Sequence, residues 1–273
     1  MVRGPGQARE LREYIDTVFT RLLNRGLAPG FFPLQLPGFA SQCAVCRSWP
    51  ARQVCPPCEA RFAPPQRRCE RCALALPAEL SMAPKAGPGL CAACVRQPPP
   101  LDKALAAVPY AYPWSDLIAR YKFGEQHGWA TFFAALLLET PGAARVFAGL
   151  DAHDWVLPLP LSAERLQTRG FNQAWELASA LARQSQTRAK ADPRLLLRVK
   201  NTPAQSRLKR EARLANVKGA FQVDPLRVAE LKARRIVLVD DVMTSGASLF
   251  TAAQALRDAG AAHITGMVLA RTE

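Results

Sequence analysis

Residues 236–248 read Ile-Val-Leu-Val-Asp-Asp-Val-Met-Thr-Ser-Gly-Ala-Ser, and they indicate the fold class of the larger part of the chain. The continuous apolar run from Arg235 to Val239 is typical of a strand buried in a parallel sheet. Two acids follow it, and a small polar turn then opens a predicted helix over 247–259. A strand, an acid pair and a hydroxyl-rich turn in this order predict a ligand site at the carboxyl end of a parallel sheet.

Each part of this stretch has a chemical use. The turn and the helix start offer backbone N–H groups and the hydroxyls of Thr244, Ser245 and Ser248 to one phosphate, and Gly246 permits close backbone approach. The adjacent carboxylates of Asp240 and Asp241 suit the vicinal hydroxyls of a sugar. A phosphate beside a diol describes a ribose 5-phosphate. The alternative interpretation is a strand that ends in acids capping the next helix.

The surrounding pattern predicts one α/β domain over 101–273. Strands are predicted over 105–112, 154–161 and 264–269, and helices over 114–123, 129–139 and 172–185. Alternation of strands with helices indicates a parallel sheet.

All eight cysteines lie within 43–94 and form four Cys-x-x-Cys pairs: Cys43 and Cys46, Cys55 and Cys58, Cys69 and Cys72, Cys91 and Cys94. This spacing lets two thiolates on one turn ligate a tetrahedral metal ion, and a second pair completes the site. We therefore predict two structural Zn2+ ions, with sequential pairing favoured over a cross-braced one. Disulfides, thioredoxin-like redox chemistry and iron–sulfur ligation are the alternatives. Metal binding would supply folding energy that so small a segment lacks, and such a ribbon can also bind nucleic acid or protein.

Composition narrows the class of protein. A hydrophobic content of 49% excludes a wholly disordered chain. The apolar runs fall short of the ~20 residues of a membrane span, and no signal peptide is visible, so we expect a cytoplasmic protein without a transmembrane segment. The 36 basic against 22 acidic residues give a net charge of +14, which favours anionic partners.

The expected organisation has three parts. Residues 1–38 carry an amphipathic helix over 7–25 and a Pro/Gly-rich linker, 39–100 form the zinc module, and 101–273 form the α/β domain.

Several motifs, taken in the order in which they occur, resemble those of known protein families. Residues 240–248 resemble the 5-phosphoribosyl-1-pyrophosphate (PRPP) loop of type I phosphoribosyltransferases. The segments 158–173, 201–221 and 121–124, together with the four Cys-x-x-Cys pairs, are similar to the ComF family of competence proteins, over about 39–273. The resemblance implies a type I phosphoribosyltransferase-like fold, with a Rossmann-like parallel sheet, behind a small N-terminal double zinc ribbon and a leading helix.

The resemblance also implies roles for individual residues. Asp240 and Asp241, the candidate catalytic residues, would hold the ribose hydroxyls, and Thr244, Ser245, Gly246, Ala247 and Ser248 would cradle the 5-phosphate. A pyrophosphate loop at Pro158, Leu159 and Pro160 would lie near Arg165, Arg169 and Lys122. Mg2+ would bind together with PRPP, since the leaving group needs charge neutralisation.

A basic stretch over 198–218 has three interpretations: a solvated helix face, a hood loop closing over pyrophosphate, or a grip on a nucleic-acid backbone. Its members of interest are Arg198, Lys200, Gln205, Arg207, Lys209, Arg210 and Arg213. Aromatic residues are sparse there, which speaks against base stacking by this stretch.

The sequence leaves three hypotheses for the function. The resemblance implies a protein of DNA uptake in natural transformation that binds PRPP and single-stranded DNA, with DNA-uptake machinery proteins as partners and with phosphoribosyl transfer left open. The alternative is a metabolic phosphoribosyltransferase acting on a free base or small amine. A third interpretation, a scaffold with a vestigial site, fits poorly with the intact acids and hydroxyls.

Overall fold

The computed structural model describes residues 41–77, 89–124, 128–200 and 219–273. The predicted helix over 7–25 and the linker after it lie outside the described residues. So do Gln205, Arg207, Lys209, Arg210 and Arg213 of the basic stretch.

A five-stranded parallel sheet is the centre of the α/β part. Its strands are β1 (Lys103–Pro109), β2 (Trp155–Pro158), β3 (Lys190–Ala191), β6 (Arg235–Met243) and β7 (His263–Arg271). They lie in the order β1-β7-β6-β2-β3, and every neighbouring pair is parallel. Two short strands, β4 (Leu196–Arg198) and β5 (Phe221–Val223), pair antiparallel beside it. The predicted α/β class with a parallel sheet is confirmed.

Eight helices accompany these strands in the described ranges. Two short ones belong to the cysteine region, α1 (Pro56–Phe62) and α2 (Ala92–Arg96). The others are α3 (Trp114–Phe123), α4 (Trp129–Leu138), α5 (Ala143–Ala148), α6 (Ala163–Arg169), α7 (Gln173–Gln184) and α8 (Ala247–Asp258). A 3-10 turn spans Val228–Leu231. None of the described helices has the length and apolar character needed to cross a bilayer.

The core divides into two layers because successive side chains of a strand point to opposite faces. On β6, Val237 and Val239 pack with the buried side chains of α3, α4 and α7. The intervening Ile236 and Leu238 pack with α8 and the β4–β5 pair. The cysteines divide in the same way: Cys43, Cys55 and Cys58 join the first layer, and Cys69, Cys72, Cys91 and Cys94 join the second.

The observed strands differ from the predicted ones at their ends. β6 continues through the acid pair to Met243, because β7 also runs further and pairs with it as far as Arg271. The prediction that β6 ends at Val239 was therefore wrong. β1 stops at Pro109 rather than at Tyr112, because β7 ends at Arg271 and offers no partner beyond it. β2 covers only Trp155–Pro158 of the predicted 154–161.

Candidate functional site

The turn between β6 and α8 lies at the edge where the parallel strands end, here called the carboxyl edge. Gly246 has a φ of +80° and directly precedes α8. A Cβ at this position would lie 2.6 Å from the Phe250 ring and 2.7 Å from Met243 Cε. Ser245 Oγ accepts a hydrogen bond from the Ala247 N–H at 3.4 Å. Glycine is thus required by both the backbone conformation and the packing.

The acid pair lies within β6 directly before this turn. The Asp241 N–H donates to Asp240 Oδ1 at 2.8 Å. Asp241 is buried, and its Oδ1 lies 3.0 Å from Lys122 Nζ at the end of α3. Its Oδ2 is buried and accepts no hydrogen bond from the described residues. The chain has therefore placed a desolvated carboxylate beside one ammonium group.

Burial and the neighbouring charge of Asp241 raise the pKa of Asp240 to about 8, against the opposing effect of Lys122. Desolvation disfavours the ionised carboxylate, and a like charge nearby adds to this. A cation or a hydroxyl donor placed against Asp240 would relieve that cost.

The segment after β2 is held against the same edge. The Leu159 N–H donates to Val239 O at 2.8 Å, and Asn172 Nδ2 donates to Leu159 O at 3.3 Å. Pro158, Leu159 and Pro160 are buried as a result. Ser162 then caps α6, accepting the Arg165 N–H at 3.4 Å. Residues 158–160 are thereby fixed between β6 and α7.

Several basic side chains lie near the acid pair. α6 carries Arg165 and Arg169, and the Arg169 guanidinium lies over the Phe123 ring at 5.1 Å. Burial lowers the pKa of Arg169, while the charges of Asp241 and Asp240 act in the opposite direction. Burial and the charge of Arg165 lower the pKa of Arg198 to about 10, opposed by Asp240. The charges of Lys122, Arg169 and Arg198 thus act on the acid pair, and the charge of Arg165 acts on Arg169 and Arg198.

Arg198 belongs to β4 rather than to a loop, which the sequence pattern did not reveal. Its guanidinium lies 5.4 Å over the Phe221 ring of β5, and its Nε donates to Lys200 O at 3.3 Å. The structure therefore brings one member of the basic stretch to the acid pair. The solvated-face interpretation does not hold for this residue.

The eight cysteines form two groups of four, Cys43, Cys46, Cys55 and Cys58 in the first tetrad and Cys69, Cys72, Cys91 and Cys94 in the second. All ligand atoms of a group lie within 4.8 Å of one another. Cys46 Sγ and Cys55 Sγ are 3.5 Å apart, and Cys72 Sγ and Cys91 Sγ are 3.6 Å apart. A tetrahedral zinc site with Zn–S bonds of about 2.3 Å has S···S edges of about 3.8 Å. The residues fit two zinc ions, grouped in the sequential order.

Both tetrads are built alike. In each, the residue after the second cysteine has a positive φ, +65° at Arg47 and +54° at Ala73. In each, the third cysteine precedes a short helix and donates its N–H to the first sulfur at 3.3 Å. Burial and neighbouring thiols raise the pKa of Cys58 to about 12 and that of Cys72 to about 11. Hydrogen bonds act in the opposite direction on another thiol of each tetrad, and lower the pKa of Cys46 to about 6 and, against burial, that of Cys91 to about 7.

Exposed aromatic rings near the carboxyl edge were missed by the sequence pattern. Tyr112, which follows β1, is 63% exposed and meets the Phe62 ring edge-on at 5.8 Å. The Arg61 guanidinium lies 5.2 Å from the Phe62 ring centre. Phe123, beside Lys122, is 74% exposed. The one sequence signal for Tyr112 was its position, since it is an aromatic residue close to the end of a predicted strand.

A buried arginine was also missed. Arg271, at the end of β7, is 7% exposed. Its Nε donates to Cys72 O at 2.9 Å, and its Nη1 donates to Met243 O at 3.2 Å and also to Thr244 O. The one sequence signal for Arg271 was its position as a basic residue at the end of an apolar strand.

No protein-family model matches the chain. Curated relatives do: DNA utilization protein YhgH of Escherichia coli O6:H1 is 31% identical over 239 residues, which cover 88% of this chain and 99% of the relative. Competence protein F of Haemophilus influenzae is 34% identical over 184 residues, covering 66% of this chain and 78% of the relative. Competence protein ComFC of Bacillus subtilis is 33% identical over 123 residues, covering 45% and 46%.

Proposed function

Because this chain belongs to the ComF family of competence proteins, we propose that it handles DNA during uptake and utilisation. In this proposal it binds PRPP with Mg2+ at the carboxyl edge and single-stranded DNA next to that site. The single observation that carries the proposal is the convergence of a glycine turn, an acid pair and several basic side chains on one edge of the sheet.

The parts of PRPP match the parts of this edge. The 5-phosphate would accept backbone N–H groups and hydroxyls from Thr244, Ser245, Gly246, Ala247 and Ser248. The ribose hydroxyls would donate to Asp240 and Asp241. The pyrophosphate would lie along 158–161, within reach of Arg165 and Arg169. Asp240 would be the residue nearest to a bound Mg2+, which would neutralise charge on the leaving group.

Lys122 has a separate task in this arrangement. It neutralises Asp241 at 3.0 Å, whereas Asp240 has no comparable partner among the described residues. A ligand at this edge therefore contacts Asp241, whose charge is already neutralised by Lys122, and Asp240, whose ionisation is unfavourable without a further cation. This division favours the binding of a metal-bound diol over that of a plain phosphate ester.

The same geometry suits phosphoribosyl transfer. The bond from ribose C1 to the pyrophosphate oxygen would break, a bond from C1 to a nitrogen of the acceptor would form, and the proton lost from that nitrogen would pass to the departing pyrophosphate. The arginines would stabilise the departing anion, so that positioning and charge stabilisation supply the rate enhancement.

Single-stranded DNA is the second ligand that we propose. Aromatic rings paired with guanidinium groups stack bases with little regard to sequence. The chain places two such pairs near the carboxyl edge, Arg61 with Phe62 and Arg169 with Phe123. β1 lies two strands from β6, about 10 Å at the usual strand spacing, and Tyr112 follows the carboxyl end of β1. The net charge of +14 supports an anionic partner.

The two tetrads serve structure in this proposal. Each would hold one Zn2+, and we place the protein in the cytoplasm, where its thiols stay reduced. Proteins of the DNA-uptake machinery are the partners that we expect, in line with relatives named for competence and DNA utilisation.

The deciding experiment is calorimetric titration of zinc-loaded protein with PRPP and Mg2+, with and without single-stranded DNA, while pyrophosphate release is followed. Tight binding of PRPP that depends on Asp240 and Asp241 is the expected result. Release that requires DNA would make DNA the acceptor. Release with a free base or small amine instead would favour the metabolic phosphoribosyltransferase. Absence of PRPP binding would refute the proposal.

A further inference from the structure

Arg271 lies between the second cysteine tetrad and the turn after β6. The guanidinium group of Arg271 carries its N–H donors in a rigid, planar arrangement. The carbonyl groups that accept from it belong to two different parts of the protein. Nε reaches the carbonyl of Cys72, whereas Nη1 reaches the carbonyls of Met243 and Thr244. One buried cation therefore joins a cysteine turn to the turn proposed to hold phosphate, across 199 positions of the sequence.

The effect of Arg271 on the turn follows from peptide geometry. In a planar trans peptide unit the C=O and the next N–H point in opposite directions. Holding the carbonyls of Met243 and Thr244 toward Arg271 therefore directs the N–H groups of Thr244 and Ser245 away from it. These N–H groups are among the donors that a 5-phosphate would need. Arg271 thus orients the peptide plane between Thr244 and Ser245, and it shares the plane before it with the Thr272 N–H, which donates to Met243 O at 3.1 Å.

The position of the Cys72 carbonyl depends in turn on the second tetrad. Cys72 contributes a sulfur to that group, and the next residue, Ala73, has a φ of +54° and donates its N–H to Cys69 O at 2.8 Å. The turn is attached to the sheet at two further points, by Ala104 N–H to Glu70 O at 2.7 Å and by Arg71 Nη1 to Leu101 O at 2.6 Å. A metal ion that closes the tetrad would therefore fix the carbonyl that Arg271 uses.

We propose that Arg271 is a positioning residue that couples metal binding at the second tetrad to the turn at 243–248. The inference rests on the proposed PRPP site and adds regulation to it. Loss of the metal frees the Cys72 carbonyl, a buried guanidinium loses an acceptor, and the turn loses its fixed peptide orientations. Leaving donors of a charged group unsatisfied is costly, so the three parts are expected to move together.

Coupling of this kind is reciprocal. If the metal raises PRPP affinity, PRPP raises metal affinity by the same factor, typically about 5–150-fold. The first tetrad provides an internal comparison, because Cys43, Cys55 and Cys58 pack in the layer on the opposite face of the sheet. No hydrogen bond in the described part of the chain links that tetrad to the turn at 243–248.

The test uses the zinc-loaded full chain and two readouts. The first is zinc transfer to a chromophoric chelator with and without PRPP and Mg2+. We expect PRPP to slow release of one of the two zinc ions about 5-fold or more. Cys46→Ser, in the first tetrad, identifies the ion that remains as that of the second tetrad. The second readout is amide hydrogen exchange of 243–248, which we expect to accelerate when the second zinc is removed without PRPP.

Variants separate Arg271 from a general effect on folding. Arg271→Lys keeps the charge but cannot reach the same carbonyls as a fork, and Arg271→Met removes the charge. Both are expected to abolish the PRPP effect on zinc release. Arg257→Lys is the matched control, since Arg257 also donates to two carbonyls, those of Ala261 and Ala262, at the amino end of β7. It should leave the coupling unchanged.

The outcomes distinguish this inference from the proposed function. PRPP binding without any change in zinc release or hydrogen exchange would overturn the coupling and leave the PRPP site intact. No PRPP binding, with faster exchange at 243–248 after zinc removal, would support the coupling and refute the PRPP assignment. Equal behaviour of Arg271→Lys and the wild-type protein in both readouts would also overturn the role of Arg271.

Discussion

Lys122 Nζ lies 3.0 Å from Asp241 Oδ1, which joins the last turn of α3 to the acid pair of β6. The carboxylate is 5% exposed and the lysine side chain 19% exposed, so the pair is largely desolvated. Breaking such a pair is costly because it leaves one charge buried alone. The pair therefore contributes both to the stability of the carboxyl edge and to the charge that a ligand meets.

Removing one partner of this pair should cost more than removing both. We expect Lys122→Met to lower the free energy of unfolding by about 3 kcal/mol, since Asp241 then stays buried and unpaired. Lys122→Met combined with Asp241→Asn should recover most of this loss. Urea denaturation of both single variants and the double variant measures the coupling. Additive losses would show that the two side chains do not interact.

Asp240 is expected to reduce stability at neutral pH. Its pKa is raised to about 8, so the folded protein favours the protonated form, and its contribution to stability falls as pH rises from about 4 to about 8. Asp240→Asn keeps the acceptor for the Asp241 N–H and removes the charge. We expect a gain of about 1 kcal/mol or more at pH 8, about 2–4 °C in Tm.

The gain from Asp240→Asn should shrink as pH falls toward 4, while PRPP binding is lost at every pH. Thermal unfolding between pH 4 and 9 measures this difference. Asp258→Asn on the exposed end of α8 is the control and should show no such trend. A gain independent of pH would contradict the ionisation argument.

Gly246→Ala should damage the turn after β6 more than backbone strain alone explains. The substitution combines a φ of +80° with contacts of 2.6 Å to Phe250, and we expect a loss of about 2–3 kcal/mol together with loss of PRPP affinity. Gly260→Ala is the matched control, because its φ is +95° but the nearest atom lies at 3.6 Å. An equal loss of unfolding free energy in the two variants would show that the contacts with Phe250 do not contribute. Calorimetry and urea unfolding supply the measurements.

The reduced protein should contain about two zinc ions per chain. Cys58→Ser should release one of them and loosen the layer around Trp114, since Trp114 and the first tetrad share that layer and Trp114 Nε1 donates to Phe62 O at 2.7 Å. Metal analysis and tryptophan fluorescence report the two effects. A reduced preparation with no zinc would contradict the tetrad assignment.

Tyr112→Ala should weaken binding of single-stranded DNA by about 5–150-fold, the range expected for one stacked base. Tyr112→Phe keeps the ring and should bind nearly as well as the wild type. Leu226→Ala, which removes another exposed apolar side chain of 67% exposure, serves as the control. Fluorescence anisotropy at several salt concentrations measures affinity, which should fall with salt because phosphate contacts release counterions. Unchanged affinity for Tyr112→Ala would exclude this surface.

Local sequence determined a large part of this protein. The apolar strand, the acids and the small polar turn at 236–248 indicated the edge where the site lies, since each is a short-range pattern with a direct conformational consequence. The Cys-x-x-Cys spacing likewise indicated two metal-binding groups, and the sequential grouping needed only short loops. The helices over 114–123 and 129–139 were also predicted from the sequence, and the structure has them at Trp114–Phe123 and Trp129–Leu138.

The tertiary structure alone decided which distant groups meet. Strand ends were set by the partner strand, so β6 extends to Met243 only because β7 reaches Arg271 beside it. The same pairing brings Arg271 between Cys72 and Thr244, and helix packing brings Lys122 to Asp241. Nothing local to these residues specifies such contacts, because a hydrogen bond or ion pair depends on positions that many other residues fix through packing. Short sequence patterns therefore identify the chemical groups of the site, whereas the packing of the whole fold sets the distances between them.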